Sequence, residues 1–547
     1  MKKILQKLPY KFIFWCIVPL LLFVTIIPFY TSHPINYYKE VIDFSMTFFI
    51  LYSIVFLLPN KSIKRIWFIL TGITISVIAF FKISFYSLFQ SNITLSAFYI
   101  IFETNANEAT DFLRLYLDFL IIITAIILLV AVVFQMRFLF SKKYQDPFLY
   151  SYSIINKKNL SVSIVLILGI VCSLYIINLK FRVYNMYYIT KDSFVSYAEM
   201  KEVFKSVLAN KTSEHLIPAS LNEENQTYII VIGESTTSKN MSLYGYYRET
   251  NPLLQEIENE LLIFTDVLAP HAHTIPSLNK ILTLSNYEDP DALEKGSLIQ
   301  LANAAGFSTY WVSNQQPIGI YENMVTVLSK ACDLQIFTSE ENLQYGSLDE
   351  AVLPHIDTIL DKPDKKKLII VHLIGTHSTY KFRYPDHFNK FTDTPQTLFP
   401  SSRSHSLINE YDNAVLYNDY AVRSIIDTFK SKDENGFLVY FSDHGEEVFH
   451  TINFVGHSEY HATPAMMEVP FILWTSEKFK NRFSSLDSIS QYTSRKYLLD
   501  DFIHSFTHLS QIEFNLWEPE RSIFHPDFKP RKRIIKKNID YDEREKN

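Results

Sequence analysis

The sequence has little cysteine and no excess of positive charge, and each shortage excludes a class of protein. Cysteine accounts for three of the 547 residues. Cys16 and Cys172 lie in long apolar runs, which leaves Cys332 alone in the rest of the chain, so no disulfide can form within that part. Lys and Arg number 51 against 57 Asp and Glu, giving a formal net charge of −6. We therefore expect no nucleic-acid partner, and a fold stabilised by a large core or a metal.

Long apolar runs are concentrated before residue 180. Five of them, nearly uncharged, are Phe12–Tyr30, Val41–Pro59, Ile66–Phe81, Leu115–Phe140 and Leu160–Leu179. A helix that crosses a bilayer needs about 17–25 apolar residues, and the short third run continues past Lys82 to Leu88. We predict five membrane-spanning helices. The first run is long and no small-residue cleavage site follows it, so we do not interpret it as a signal peptide.

Basic residues are concentrated in alternate connections between these runs. They precede the first run, or separate the second from the third and the fourth from the fifth: Lys2, Lys3, Lys7, Lys11, Lys61, Lys64, Arg65, Arg137, Lys142, Lys143, Lys157 and Lys158. Because cytoplasmic loops are rich in Lys and Arg, the amino terminus is predicted inside and the chain after Leu179 outside. We predict a transmembrane domain over residues 1–180, bridging helices at the membrane surface over 181–226, and an extracytoplasmic domain over 227–547.

After residue 227 the pattern changes to short apolar runs separated by helical segments. The runs are Tyr228–Ile232, Thr309–Val312, Leu368–Ile374, Phe437–Phe441 and Pro470–Trp474, and the helices predicted between them include Pro276–Leu284, Ser297–Ala305 and Tyr411–Lys430. Apolar runs without alternation indicate strands buried on both faces, and helical spacing indicates a parallel sheet. The expected fold is a five-helix membrane domain followed by an α/β domain with a mostly parallel sheet and helices on both faces.

Polar side chains follow four of the predicted strands. They are Glu234, Asn314, His377 and the adjacent pair Asp443 and His444. Ligands of open α/β sheets bind at the carboxyl ends of the strands, and Asp, Glu and His together suit a divalent ion of the zinc class. Gly445 would permit the sharp turn that lets an adjacent Asp and His hold one ion. We predict a metal site at this edge, with His457 as a further candidate.

A candidate nucleophile lies in the segment His271–Leu278. Pro276 suits the first turn of a helix, which places Thr274 at its N-terminus, where backbone amides and the helix dipole stabilise a phosphorylated hydroxyl. Metal coordination would lower the hydroxyl pKa enough for attack at neutral pH. An ordinary N-cap threonine is the alternative. Other histidines have an alternative interpretation as packed or surface residues: His271, His273, His355, His372, His450 and His461.

At these residues the chain resembles the phosphoethanolamine transferases of Gram-negative bacteria, within the alkaline phosphatase and sulfatase superfamily. The similarity covers almost the whole chain, and it is carried by Val231–Thr237, Met241–Tyr246, Arg248–Pro252, Gly375–His377, Asp443–Glu446 and Gly456–His457. It implies an alkaline-phosphatase-like domain. Zinc would be held by Glu234, Asp443, His444 and the hydroxyl of Thr274. Thr274 would be the nucleophile that becomes phosphoethanolamine-modified. The resemblance also implies that His377 and His457 bind phosphate or a second zinc, and that Asn314 contacts substrate.

The resemblance implies an activity in the envelope. Phosphoethanolamine would pass from phosphatidylethanolamine to lipopolysaccharide, at a core heptose or at lipid A, by an enzyme of the bacterial inner membrane with a periplasmic catalytic domain. A lysine that some members place near Ile318 and Ile320 is missing, and so are the three disulfides of the colistin-resistance members. Both departures favour the branch that modifies the core.

Other activities remain open at this point. A glycerol-phosphate transferase like the lipoteichoic acid synthases would share the five spans and the threonine, and a membrane-anchored phosphodiesterase would use water as acceptor. A sulfatase is disfavoured because no Cys or Ser begins a C/S-x-P-x-R signature. A non-catalytic scaffold is disfavoured because Glu234, Thr274, Asp443 and His444 are all retained.

Overall fold

The computed structural model describes residues 10–31, 34–58, 60–93, 97–98, 101–102, 106–141, 160–218, 225–315, 324–339, 347–432, 434–482, 486–535 and 539–544. Some residues used in the sequence analysis lie outside these ranges: Lys2, Lys3, Lys7, Lys142, Lys143, Lys157, Lys158, Ile318 and Ile320. The chain divides into two compact units. One comprises residues 1–104 and 112–198, and the other residues 105–111 and 199–547.

The first unit is helical. Its α-helices are Tyr10–Ile26, Pro34–Leu57, Lys61–Phe89, Ala106–Tyr116, Phe119–Phe140, Leu160–Ile176 and Met186–Val203. Two of them, Ala106–Tyr116 and Met186–Val203, belong partly to the second unit. Five helices, some extended by a short terminal turn, are long and apolar enough to cross a membrane: Tyr10–Phe29, Pro34–Leu57, Lys61–Phe89, Phe119–Phe140 and Leu160–Phe181. The five predicted spans are thus confirmed.

The predicted start of the fourth span at Leu115 is wrong by four residues. One helix ends at Tyr116 and the next begins at Phe119. Asp118 lies between them in an extended conformation, and its carboxylate accepts a hydrogen bond from the amide of Ile121 at 2.8 Å. This N-cap satisfies a free amide at the start of the new helix. The apolar run therefore continues through a break in the helix.

Charged side chains are buried together between the membrane-spanning helices. Lys82, which is 2 % exposed, donates hydrogen bonds to the Glu40 carboxylate and, at 2.7 Å, to the carbonyl of Tyr184. A carboxylate oxygen of Asp43 lies 3.8 Å from the Lys82 ammonium, and the other accepts a hydrogen bond from the Asn185 amide at 2.8 Å. We call these five residues the membrane charge cluster. Each charge in it has a partner, as burial in an apolar span requires.

The second unit is built on a seven-stranded sheet. The described strands are β1 Gln226–Gly233, β2 Leu261–Phe264, β3 Val267–Leu268, β4 Ser308–Ser313, β5 Leu334–Phe337, β6 Lys366–His372, β7 Gly436–Ser442, β8 Glu447–Val448, β9 Val455–Gly456, β10 Phe471–Thr475, β11 Tyr497–Leu498, β12 Ile534–Ile535 and β13 Ile539–Asp540. The order in the large sheet is β2-β10-β7-β1-β6-β4-β5. The strands β7, β1, β6, β4 and β5 run parallel to one another. At the β7 side, β10 pairs antiparallel with β7, and β2 pairs antiparallel with β10.

Helices pack around this sheet. Those in the second unit are Pro252–Gln255, Thr274–Ile281, Leu298–Ala304, Met324–Ser329, Leu353–Leu360, Ser402–Ser431, Pro464–Met467, Glu477–Arg482, Leu486–Ile489, Phe502–Ser510 and Tyr541–Arg544. Every residue of β1 and β7 is buried, so both faces of the sheet are covered. The mostly parallel α/β fold is confirmed. Strands β2 and β5 were not predicted, since each is only four residues long and partly exposed.

The register brings the ends of four strands to one edge. Gly233 of β1 pairs with Ser442 of β7, and Ile232 of β1 pairs with His372 of β6, which in turn pairs with Ser313 of β4. The residues that follow these strands therefore emerge side by side at the carboxyl edge. This alignment brings together the polar side chains that follow the four strands.

Candidate active site

Two carboxylates and one imidazole meet at the ends of β1 and β7. The Nε2 atom of His444 lies 3.3 Å from a Glu234 carboxylate oxygen and 3.5 Å from Oδ2 of Asp443. One ligand atom from each of the three side chains lies within 4.8 Å of the other two, and all three side chains are buried. We call Glu234, Asp443 and His444 the triad cluster. The sequence prediction that these residues come together agrees with this placement.

The backbone holds the triad cluster in a strained loop. Ser235 has a φ of 57°, in the left-handed region that a non-glycine residue rarely occupies. Its amide donates to Oδ1 of Asp443 at 3.1 Å, and its hydroxyl donates to Glu234 at 2.8 Å. Its carbonyl accepts hydrogen bonds from Thr376 and Tyr411, both at 2.8 Å. These four contacts fix the direction of both carboxylates.

Two glycines permit close approach at this loop. A Cβ on Gly375 would lie 2.8 Å from the backbone of Glu234, and a Cβ on Gly445 would lie 2.2 Å from the carbonyl oxygen of Ala465. Gly445 was predicted to permit a sharp turn between Asp443 and His444. Its φ is not in the left-handed region, so the requirement is space for the neighbouring backbone.

Thr274 is the first residue of the helix Thr274–Ile281, two residues earlier than the start predicted from Pro276. Its Oγ1 donates toward the Glu234 carboxylate at 3.1 Å and lies 3.5 Å from Nε2 of His444. The third residue after it, Ser277, donates to the carbonyl of Asp443 at 2.5 Å, which ties this helix to the end of β7. The hydroxyl therefore reaches the triad cluster from a third element of the fold.

The electrostatics of the triad cluster favour a divalent cation. Burial and the charge of Glu234 raise the pKa of Asp443 to about 8. Burial alone would lower the pKa of His444, but the two carboxylates raise it to about 10. Among the described residues, Oδ2 of Asp443 accepts no hydrogen bond although it is buried. An unsatisfied buried carboxylate oxygen, beside a second carboxylate, an imidazole and a hydroxyl, fits a zinc ion.

Two further histidines lie beside the triad cluster. The ring of His457 is 4.3 Å from that of His444, and its Nδ1 is 2.7 Å from the Glu446 carboxylate. Burial lowers the pKa of His457 to about 3, with the nearby His444 acting in the same direction. Burial likewise lowers the pKa of His377 to about 4. Its Nδ1 is buried and has no hydrogen-bond partner among the described residues. Both rings are therefore neutral near pH 7, and each has a nitrogen available for a metal or a phosphate oxygen.

Glu446 was missed as a site residue in the sequence. It joins His444 and His457 in a second group able to hold a metal. One oxygen of Glu446 accepts from the hydroxyl of Tyr380 at 2.6 Å, and the other meets His457. Its position two residues after His444, in the run Asp443–Glu446, was the available signal. This carboxylate would fix the orientation of the His457 ring.

Asn314 lies at the predicted strand end but is turned away from the triad cluster. Its amide donates to the Ser347 carbonyl at 2.8 Å and to the Asp349 carboxylate at 2.9 Å, and its oxygen accepts from Thr338 at 2.7 Å. The next residue, Gln315, donates to Glu234 at 3.0 Å. The sequence analysis identified the right strand end and did not single out Gln315.

The loop before Thr274 is held by Glu459. Its Oε1 accepts a hydrogen bond from the Ala272 amide at 2.9 Å and lies 2.9 Å from Nδ1 of His271. The rings of His271 and Tyr287 are stacked, with centroids 5.5 Å apart. Thus His271, for which a packed or surface role was considered, helps to hold the loop before Thr274. Nothing in the sequence pattern pairs Glu459 with this loop.

Comparison with known proteins places the chain among transferases. The sequence profile of the Sulfatase family matches residues 226–512. The phosphoethanolamine transferase EptC of Escherichia coli (strain K12) is 34% identical over 522 residues, covering 89% of this chain and 88% of that protein. The crystal structure of the C-terminal periplasmic domain of E. coli EptC in complex with Zn is 40% identical, with a TM-score of 0.57, and covers 60% of this chain and 96% of that one.

A second solved structure extends the likeness to the membrane helices. The integral membrane protein lipooligosaccharide phosphoethanolamine transferase A from Neisseria meningitidis superposes with a TM-score of 0.69 over 94% of this chain and 97% of that one. At 20% identity it demonstrates a shared fold. The described helices and the α/β domain are thus parts of one known architecture.

Proposed function

Because the chain belongs to the phosphoethanolamine transferase family, we propose that it transfers phosphoethanolamine from phosphatidylethanolamine to lipopolysaccharide through a phosphothreonine intermediate. The acceptor site would be a core heptose or lipid A. The observation that carries the proposal is the Thr274 hydroxyl, 3.1 Å from Glu234 and 3.5 Å from His444. A hydroxyl in this position is placed to be the nucleophile of a metal-assisted phosphoryl transfer.

The same proposal assigns a role to each part of the chain. Residues 1–180 would form the transmembrane domain in the bacterial inner membrane, residues 181–226 the bridging helices, and residues 227–547 the periplasmic catalytic domain. The donor lipid and the lipopolysaccharide acceptor both reside in membranes. Attachment of the catalytic domain to five spans would confine it to the surface where these substrates are concentrated.

Glu234, Asp443, His444 and Thr274 would hold one zinc ion, and His377, His457 and Glu446 surround the space where a phosphate or a second zinc would bind. Bound zinc would supply Lewis-acid stabilisation of negative charge and lower the pKa of a coordinated hydroxyl. The unsatisfied Oδ2 of Asp443 supports this ligand set.

The first step would load Thr274. Its hydroxyl gives up a proton, its oxygen forms a bond to the phosphorus of phosphatidylethanolamine, and the bond from phosphorus to the glycerol oxygen breaks. Diacylglycerol leaves once that oxygen takes a proton. In the second step an acceptor hydroxyl or phosphate oxygen forms the new bond to phosphorus, its proton is released, and the Thr274 oxygen regains one. Glu234 orients the hydroxyl before each exchange.

The buried histidines would act first as neutral groups. The Glu446 carboxylate holds the Nδ1 proton of His457, which leaves its Nε2 as an acceptor. The low pKa values of His377 and His457 make them poor proton donors in the free protein. Either ring can protonate a leaving oxygen only if the substrate phosphate raises its pKa. Their roles as phosphate or metal ligands therefore precede any acid role.

The test is intact-mass spectrometry of the full chain in lipid nanodiscs containing phosphatidylethanolamine and zinc. We expect an added mass equal to ethanolamine phosphate on the wild type, absent from Thr274→Ala. A matched control is Thr358→Ala, which removes a threonine hydroxyl from an exposed helix position and should still be loaded. A glycerol-phosphate adduct formed only from phosphatidylglycerol would support the lipoteichoic-type activity instead. No adduct from either lipid on zinc-loaded protein would refute the threonine mechanism.

A further inference from the structure

One carboxylate beside the nucleophile loop has an oxygen left open. Glu459 uses Oε1 for both of its contacts, with the Ala272 amide and with His271. Its Oε2 forms no hydrogen bond with any described residue, and 19% of the side chain remains exposed. Glu446, the other carboxylate near His457, uses both of its oxygens within the protein. Glu459 is therefore the carboxylate here with an oxygen free to receive a ligand.

Its position suits a group that extends from the phosphorus. Glu459 touches Ala272, and the two residues from Ala272 to Thr274 span at most about 7 Å. It is also two residues from His457 in sequence, and it acts electrostatically on the rings of both His457 and His273, whose centroids are 5.0 Å apart. An aminoethyl chain on a phosphorus at Thr274 extends over a distance of the same order.

The buried Lys280 interacts electrostatically with Glu459 without contacting it. The ammonium of Lys280 lies over the ring of Tyr287, 3.6 Å from its centroid. No ion pair forms between the described side chains of Lys280 and Glu459, and the His271 contact occupies only Oε1. The negative charge at Oε2 thus remains available to a cationic ligand.

We propose that Oε2 of Glu459 binds the primary ammonium of the ethanolamine headgroup whose phosphorus is attacked by Thr274, and so selects headgroups that carry an N–H cation. The inference rests on the proposed function and names a specificity-determining residue for it. A charge-assisted hydrogen bond is stronger than a neutral one, although partial exposure screens it. We expect about a tenfold contribution to donor choice.

The experiment compares two donors on the full chain in zinc-containing nanodiscs. Phosphatidylethanolamine is mixed in equal amounts with phosphatidylethanol, which has the same phosphodiester and an ethyl group in place of the aminoethyl group. Intact mass at early times reports the ratio of the two adducts on Thr274. The wild type should favour ethanolamine phosphate by about tenfold. In Glu459→Gln, whose amide oxygen can still accept from Ala272, this ratio should fall close to one.

A second variant separates binding from loop positioning. His271→Gln removes the imidazole contact and keeps the Glu459 charge, so loading should slow for both donors while the ratio is preserved. Equal slowing of both donors in Glu459→Gln, with the ratio kept, would show that Glu459 only positions the loop and would overturn the inference.

A further measurement uses only the wild-type protein, so its result does not depend on whether a variant folds. Loading should fall stepwise from phosphatidylethanolamine through its N,N-dimethyl form to phosphatidylcholine, because each replaces N–H donors and keeps the charge. Equal loading across this series, or equal use of phosphatidylethanol, would contradict the inference. Absence of any adduct from all donors would instead refute the proposed function itself.

Discussion

The two units each bury two carboxylates beside one cationic side chain, and they differ in how fully the carboxylate oxygens are satisfied. In the membrane charge cluster, Lys82 contacts both acids, and the side-chain amide of Asn185 and the carbonyl of Tyr184 complete the contacts. In the triad cluster, two carboxylates face one imidazole and an oxygen of Asp443 lacks a partner. Burial of charge is costly in both places. The contacts of the first cluster are completed by the chain itself, whereas the second leaves one carboxylate oxygen without a hydrogen bond, as a metal site would.

This difference suggests different roles for the two buried clusters, with the first stabilising the fold and the second suited to binding a metal. In the membrane charge cluster, substitution of any member is destabilising because it leaves a buried partner unsatisfied. The triad cluster is instead held in place by the surrounding fold, through the Ser235 loop and the hydrogen bonds that Thr376 and Tyr411 donate to it. Its unfavourable charge becomes favourable binding energy for a metal. The following predictions test whether the two clusters differ in this way.

The largest effect is expected for Asp443→Asn. Asparagine keeps the shape of the side chain and removes the negative charge whose Oδ2 accepts no hydrogen bond from the described residues. Zinc affinity of the full chain should fall about a thousandfold, or ~4 kcal/mol. A competitive titration against a fluorescent zinc chelator measures this. Asp527→Asn is the control, because that side chain is 76% exposed and distant in sequence from the site. Unchanged affinity in Asp443→Asn would mean that the triad cluster does not bind the ion.

The next effect concerns the membrane charge cluster. Lys82→Met leaves the carboxylates of Glu40 and Asp43 buried without a cation, which should cost about 3 kcal/mol of stability. Thermal unfolding of the full chain in detergent measures the loss. Lys180→Met, which replaces an exposed lysine outside the cluster, should have little effect.

A combined variant distinguishes charge imbalance from lost packing. Adding Glu40→Gln and Asp43→Asn to Lys82→Met replaces the whole cluster with neutral groups of similar shape, so most of the stability should return. If it does not return, the cluster contributes more than mutual neutralisation, and the comparison with the triad cluster fails.

A smaller effect follows from the proton on His444. Without a metal, the neighbouring carboxylates raise the pKa of His444 to about 10, so its ring carries a proton at pH 7. Zinc requires the neutral ring and the ionised Asp443 carboxylate, whose own pKa is raised to about 8, hence binding below pH 8 should release up to two protons. The affinity should fall as the pH falls, by about tenfold per pH unit for each proton released. Calorimetric titration in two buffers of different ionisation enthalpy counts the released protons. At pH 9 Asp443 is already ionised whereas His444 keeps its proton, so a count of zero there would show that His444 is not a ligand.

Much of this arrangement could be predicted from the sequence, and the limits are physical. Strand ends place Glu234, Asp443 and His444 at one edge because parallel strands in register share that edge. Runs of apolar residues predict the five spans, but the fourth span begins only after its N-cap Asp118, four residues later than the apolar run suggests. Loop conformation decides the rest. Asn314 and Gln315 both follow β4, and only the backbone turn determines which of the two faces the site.

The smallest effect tests that choice between neighbours. Gln315→Met keeps the length of the side chain and removes its hydrogen bonds to Glu234 and to the Leu373 carbonyl. Zinc affinity should fall about tenfold, since a group that orients a metal ligand contributes at this level, while the unfolding midpoint without zinc should barely change. Asn314→Ala should do the reverse, because its amide satisfies the buried carboxylate of Asp349. If Asn314→Ala instead slows loading from the donor lipid at unchanged stability, Asn314 contacts substrate as the family resemblance implies. The site would then include Asn314 as well as Gln315.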